Sequence, residues 1–204
     1  MLLKKLCKKH HARKLDSSFA MHFLDVYETY FADIRERNLE VLEIGVQKGG
    51  SIKMWADYFP NSNITGVDVT KKCKKHETDR IKVRLGDQAD AKFLSTLGKF
   101  DVIIDDGGHT MIQQKTSLIE LWDHLNPGGL YVLEDLETSY WPAFGGGYKK
   151  EETTVEFLKC RIDNMNHEAT KHSRAEKEKI EIENYNMESI SFYKSLCVIK
   201  KEKK

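Results

Sequence analysis

Between residues 39 and 134 a short apolar run recurs five times, each followed by a polar stretch, and several of those stretches space their apolar residues for one helix face. Parallel strands need crossover connections, and helices must then cover both faces of the sheet, so this alternation constrains the chain to an α/β sheet. The runs at residues 39–45, 63–68, 81–85, 101–105 and 129–134 read as strands. Helices are expected over 17–35, from Gly49, Gly50 and Ser51 to Phe59, and over 89–97 and 110–125. Pro60 and Asn61 break the second of these, and Leu118, Leu121, Trp122 and Leu125 give the last a core-facing stripe closed by the Asn126-Pro127-Gly128-Gly129 turn. Residues 189–193 and 196–199 read as two closing strands, antiparallel because only a hairpin turn separates them. The expectation is a three-layer sandwich whose mostly parallel sheet ends in an antiparallel C-terminal hairpin. Residues 138–150, with Pro142 and three consecutive glycines, read as a mobile loop, and 151–179 as a charged helical stretch.

No repeat or low-complexity linker divides the 204 residues, so a single domain over 17–204 is expected, preceded by a basic arm over 1–16. With 40% hydrophobic residues the chain can bury a sizeable core. Its 33 Lys+Arg against 32 Asp+Glu leave a formal charge of +1, which gives no basic field for nucleic acid. Cys7, Cys73, Cys160 and Cys197 form no framework or CxxC pair, which suits free thiols in a reducing, cytoplasmic compartment. No stretch approaches the ~18 apolar residues of a membrane span. Residues 1–14 carry six basic side chains and no acid; lacking a long apolar region they are no secretory signal, and they read as a solvated arm, with a basic membrane-surface contact as the alternative. The lysines at 71–75, Lys200, Lys201, Lys203 and Lys204 are likewise read as solvated, as are His10, His11, His124, His167 and His172. Residues 101–141, by contrast, hold eight acids and one lysine. The acidic centre is expected to hold a divalent cation, with the basic ends away from it.

The first βα turn reads Glu43-Ile44-Gly45-Val46-Gln47-Lys48-Gly49-Gly50-Ser51. A dinucleotide-binding GxGxxG would need glycine where Gln47 stands, next to a pyrophosphate. The ExGxxxGG pattern instead resembles the first motif of class I S-adenosylmethionine-dependent methyltransferases, which implies a Rossmann-like fold. Asp68 closes the second strand 23 residues after Gly45, about where such folds supply an acid for ribose hydroxyls. A turn glycine with a surface aspartate is the plainer alternative. Glu43, Gly45, Gly49, Ser51, Asp68 and Asp105 form the candidate cofactor-binding set, with Asp87 and Gln88 falling near the adenine in that resemblance.

The fourth strand delivers Asp105-Asp106-Gly107-Gly108-His109 and the fifth Glu134-Asp135 to the C-terminal edge, where open α/β sheets bind ligands. If the two strands are neighbours, Asp106, Glu134 and Asp135 converge, and their mutual repulsion calls for a cation. Carboxylate oxygens favour Mg2+ or Ca2+. Mg2+ could hold a vicinal diol while His109, three residues past Asp106, acts as the base for an attacking alcohol. Helix capping by Asp106 and an ordinary surface role for His109 remain open readings of the same residues.

Residues 41–55, 58–61, 66–68, 105–109 and 127–141 resemble the metal-dependent sugar O-methyltransferases of macrolide biosynthesis, and the resemblance runs from about residue 18 to 200. It implies a magnesium site on Asp106, Glu134 and Asp135, His109 as the catalytic residue, S-adenosylmethionine as methyl donor, and a homo-oligomer. The macrolide enzymes carry an extra N-terminal region that helps shape the acceptor pocket, whereas this chain begins almost directly at the catalytic domain. The expected acceptor is therefore the broader class, a sugar hydroxyl in a glycosylated metabolite or polysaccharide. Tyr140 and Trp141 are expected to close over it, since aromatic rings stack on sugar faces. The rival expectations are a phenol or catechol acceptor and a non-catalytic nucleoside-binding protein.

Overall fold

The computed structural model describes residues 1–15, 22–166 and 186–204. Seven strands form one sheet: β1 (Glu40–Ile44), β2 (Asn63–Asp68), β3 (Ile81–Leu85), β4 (Phe100–Asp105), β5 (Leu125–Leu133), β6 (Met187–Tyr193) and β7 (Leu196–Lys201). Their order is β3-β2-β1-β4-β5-β7-β6. The first five pair in parallel, and β7 lies antiparallel between β5 and β6. The α/β class and the antiparallel hairpin are as expected from the sequence.

Successive strand residues point to opposite faces, and the core divides accordingly. Val41, Val102 and Ile104 pack with α1 (Leu2–His10), α2 (Phe23–Phe31) and α3 (Gly50–Tyr58) through Leu3, Tyr27 and Trp55. Leu42, Ile103 and Tyr131 pack on the other face with α4 (Ala91–Leu94), α5 (Met111–Trp122) and α6 (Thr154–Asn166) through Leu94, Leu118 and Leu158. Both faces are covered, which is why Val41-Leu42 of β1 and Val102-Ile103-Ile104 of β4 are apolar at consecutive positions.

Several boundaries move. Leu125 belongs to β5 and not to the end of α5: it pairs with Phe100, and the register then jumps so that Val102 meets Leu130. That irregularity absorbs Pro127, which has no N–H to give a regular ladder. The expected helix at 89–97 is the single turn α4, started by Asp90, whose carboxylate accepts from the backbone N–H of Lys92 and Phe93. Residues 138–150 are not a loose connection. Residues 136–140 and 142–144 form 3-10 turns, and the amides of Gly146 and Gly147 donate to the carbonyls of Trp141 and Ser139 at 3.0 and 2.9 Å. The expected helices over 17–35 and 151–179 are described as α2 and α6; their remaining parts at 17–21 and 167–179, with His167 and His172, lie outside the described residues.

The basic ends are the larger correction. Residues 2–10 form α1, whose Leu3 and Cys7 are buried, while Lys9 and His10 reach Asp57 of α3 at 2.6 and 2.7 Å. The apolar positions Leu2, Leu3, Leu6 and Cys7 recur at helical spacing, so burying them outweighs solvating the charges, which stay on the opposite face. Lys201, also expected in solvent, donates to the carbonyls of Trp122 and Leu125 at 2.8 and 3.0 Å, at the negative end of the α5 dipole.

The strand order turns back at β1, with β2 and β3 to one side and β4 and β5 to the other. Loops leaving the C-terminal ends of β1 and β4 therefore diverge and open a crevice.

Candidate active site

Gly45 forms the floor of that crevice with φ +95°, and a Cβ placed on it would lie 2.0 Å from the Asp106 carbonyl oxygen. Only glycine lets the turns after β1 and β4 come this close. Asp68 holds the turn from outside, its carboxylate accepting from the amides of Val46, Gln47 and Thr70 at 3.0, 2.9 and 2.8 Å. Partial burial works against its charge, but the amide donors prevail and keep Asp68 below the usual carboxylate range. Asp68→Ala is expected to lower stability by about 1–3 kcal/mol through those orphaned amides, measured by denaturant unfolding. An unchanged midpoint would place the turn's rigidity elsewhere.

Glu43, expected at the cofactor, is fully buried, and its carboxylate accepts from Trp55 Nε1 at 2.8 Å and Ser51 Oγ at 2.9 Å. It fastens α3 to β1 and lines neither cleft. Burial, with repulsion from Asp106, pushes Glu43 up to about 7 against the pull of Lys14. Gly49 lies against the His76 ring, whereas Gly50 and Ser51 line the crevice.

Two clefts share Gly45 and Gln47. The one of about 170 Å3 runs over the ends of β1, β2 and β3, lined by Asp68, Asp87, Gln88 and Gly107. Here Gln88 does more than face a ligand: its Nε2 donates to Asp105 at 3.0 Å while its Oε1 accepts from the Gly108 amide at 2.7 Å. Asp105 is not presented to this cleft. It is buried beneath it, accepting from Gln88, Ser117 and Tyr131, and burial pushes its carboxyl above the usual range. Of the expected cofactor set, then, Gly45, Asp68, Asp87 and Gln88 line the smaller cleft and Gly45 and Ser51 the larger, while Glu43, Gly49 and Asp105 brace the turns behind them.

The larger cleft, about 290 Å3, contains the acidic centre with Asp106, His109, Glu134 and Asp135. β4 and β5 are neighbours, so their C-terminal residues do converge. One carboxylate oxygen each of Asp106 and Asp135 and a ring nitrogen of His109 lie within 4.8 Å of one another. His109 Nε2 stands 3.3 Å from Asp135 and 3.9 Å from Asp106. His109 and Asp135 have φ of +59° and +55°, a strained conformation for residues with a Cβ, which aims both side chains into the cleft. The His109 carbonyl accepts from Thr138 Oγ1 at 3.0 Å. Burial raises the pKa of Asp135 in spite of His109.

Glu134 lies deeper, accepting from both Tyr27 OH and Lys14 Nζ. The Lys14 ammonium is also 2.5 Å from Asp106 and 3.9 Å from Glu43. Burial alone would discharge it, but Asp106, Glu134 and Glu43 outweigh that and hold it protonated above the usual lysine range. Burial and the Asp106 charge meanwhile push Glu134 upward. One ammonium thus serves a centre of four acids, two of them fully buried, and that shortage of positive charge fits a hard divalent cation. Asp106, His109 and Asp135 offer ligand atoms around one point, whereas Glu134, expected as a ligand beside Asp106 and Asp135, is held behind them by Lys14 and Tyr27.

Tyr27 escaped the sequence reading, and Lys14 overturns it, because the basic N-terminal segment was expected in solvent and away from the acidic centre. Tyr27 sits on the apolar stripe of α2 and packs on Trp55 at 5.1 Å, so nothing in its spacing separates it from core. Lys14 is one of six basic residues in its segment, distinguished only by following the amphipathic α1. Tyr140 and Trp141 are exposed and line neither cleft, on the turns directly after Asp135.

Residues 42–136 match the methyltransferase domain family. This sheet order and glycine turn are those of the class I methyltransferase fold. Within that class it is 41% identical over 164 residues to mycinamicin VI 2''-O-methyltransferase of Micromonospora griseorubida, covering 74% of this chain and 41% of that protein. It is 42% identical over 153 residues to 8-demethyl-8-alpha-L-rhamnosyl tetracenomycin-C 2'-O-methyltransferase of Streptomyces olivaceus, covering 69% and 40%. The solved structure of MycE methyltransferase from the mycinamycin biosynthetic pathway, in complex with Mg and SAH, superposes with a TM-score of 0.88 at 33% identity, over 98% of this chain and 54% of that one. The chain spans about two fifths of the curated relatives' length. No helix among the described residues is long and apolar enough to cross a membrane.

Proposed function

We propose that this chain transfers a methyl group from S-adenosylmethionine to a sugar hydroxyl, with Mg2+ at the acidic centre. The observation that carries the reading is the convergence of Asp106, His109 and Asp135 beside the glycine turn, at the crevice where the strand order reverses. The smaller cleft, with Asp68, Asp87 and Gln88, takes the nucleoside; the larger takes the acceptor. The acceptor oxygen forms its bond to the methyl carbon as the carbon–sulfur bond breaks, and the hydroxyl proton passes to His109 Nε2. When bound, Mg2+ supplies a Lewis acid that makes a diol hydroxyl easier to deprotonate. The strained backbone at His109 and Asp135 keeps both groups pointed at the acceptor, so that much of the rate comes from orientation. Tyr140 and Trp141, exposed on the turns that follow Asp135, offer rings for the acceptor's sugar face. No disulfide is found among the described residues, and we take this with the scattered cysteines to favour a reducing, cytoplasmic setting.

Isothermal titration with S-adenosylmethionine, followed by methyl transfer to a panel of glycosides and catechols, tests the proposal. Binding and turnover on glycosides are expected; no binding overturns the enzymatic reading, and turnover on catechols alone overturns the sugar. Chelation with EDTA is expected to take turnover to background, and Mg2+ to restore it. Turnover that persists in EDTA removes the metal.

A further inference from the structure

We infer that Lys14 is a built-in cation that a divalent ion must displace, so that metal uptake lifts residues 13–15 off the acidic centre. The inference rests on the metal reading above and goes beyond it. The Lys14 side chain is 3% exposed, and its Nζ joins Asp106 of the β4 turn to Glu134 of the β5 end. A divalent cation taking oxygens from the same two carboxylates would stand within about 4 Å of that ammonium, where like charges repel strongly. Ion and ammonium then compete for those oxygens. Exchange is favourable because a charge of two replaces a charge of one among Asp106, Glu134, Asp135 and Glu43.

The fold supplies a hinge for the exchange. Up to Ala12 the N-terminal segment is fixed: Leu3, Cys7 and Ala12 are buried, the Ala12 amide donates to the Cys7 carbonyl at 3.0 Å, and Cys7 Sγ donates back to the Ala12 carbonyl at 3.2 Å. The backbone of residues 10–12 also presses on the start of α3, 2.9 Å from where a Cβ on Gly50 would be. Beyond Ala12 the chain is a short 3-10 turn, Arg13–Leu15, and Lys14 ties it to the centre. Arg13 and Lys14 line the larger cleft, so their departure widens the space expected to receive the acceptor. Seated Lys14 therefore narrows the larger cleft, and its displacement by a divalent ion widens it.

The test uses Mn2+ as the probe, with binding read by electron paramagnetic resonance and opening by limited trypsin digestion. Lys14→Met is expected to bind Mn2+ about tenfold or more tightly than wild type, because no competing state has to be vacated. Lys14→Arg and the exposed-face control Lys5→Met are expected to stay near wild type. In wild type, cleavage after Arg13 and Lys14 should speed up on adding Mn2+, while cleavage after Lys4 and Lys5 on α1 does not. In EDTA, Lys14→Met should melt below wild type and gain more from Mn2+ than wild type does. Equal Mn2+ affinity in wild type and Lys14→Met overturns the displacement and leaves the metal reading standing, as does protection of the 13–15 bonds by Mn2+. Absence of Mn2+ binding in both proteins brings down the metal reading and this inference together. Should Lys14→Met not fold, the trypsin comparison on wild type decides alone.

Discussion

His109→Ala is expected to reduce methyl transfer by about 10²- to 10⁴-fold while leaving S-adenosylmethionine affinity within a few-fold. His109 lines the larger cleft and not the smaller, and its Nε2 is directed at the carboxylates of Asp135 and Asp106. Its removal therefore takes away the proton acceptor without touching Asp68, Asp87 or Gln88. Alanine is poorly suited to the φ of +59° at this position. His109→Asn, which tolerates that conformation better, should give the same loss of turnover with a smaller loss of stability. Turnover and cofactor binding measured separately on both variants decide the role. Retained turnover removes His109 from it, and lost cofactor affinity reassigns the residue to shaping the nucleoside cleft.

Gly45→Ala should have the largest effect on folding. Its Cβ would be driven to 2.0 Å from a backbone carbonyl, which cannot swing aside as a side chain would, and the φ of +95° adds strain of its own. Together these cost about 2–6 kcal/mol, a large share of a typical domain's stability. Denaturant unfolding should show a much lower midpoint, and the surviving folded protein should bind S-adenosylmethionine weakly, since β1 and β4 must part at their C-terminal ends. A midpoint within experimental error of wild type would mean that the two turns separate freely.

The sheet could be read from the sequence because period and punctuation are local properties. Runs such as residues 101–105, apolar at their three central positions, end in acids or glycine, and helices between them follow from spacing. The neighbourhood of β4 and β5 also followed from their succession along the chain, and that was enough to bring Asp106, Glu134 and Asp135 to one edge. Register was not legible: nothing in Leu125-Asn126-Pro127 shows that Leu125 pairs with Phe100 ahead of an irregularity, and it reads equally as the last turn of a helix. Side-chain direction was hidden for the same reason. Glu43 and Asp105 stand at the positions a motif assigns to a ligand, yet the structure turns them inward to Trp55 and Ser117. Lys14 was hidden by distance, because its partners lie 92 and 120 residues away and charge counting placed it with solvated lysines.

The position of β7 governs when this protein can finish folding. β5 carries Glu134 and Asp135 at its end, and the strand filling its free edge is drawn from residues 196–201, with the Ser195 carbonyl accepting from the Leu136 amide at 3.0 Å. On a growing chain the first five strands can assemble in order, but β5 keeps one edge open until those residues emerge and fold back. Distant pairings of this kind form slowly, and an unpaired edge invites other chains to add to it. The acidic residues therefore come together on a strand whose support arrives late, which leaves an open edge for mispairing beside the acidic centre in a newly made chain.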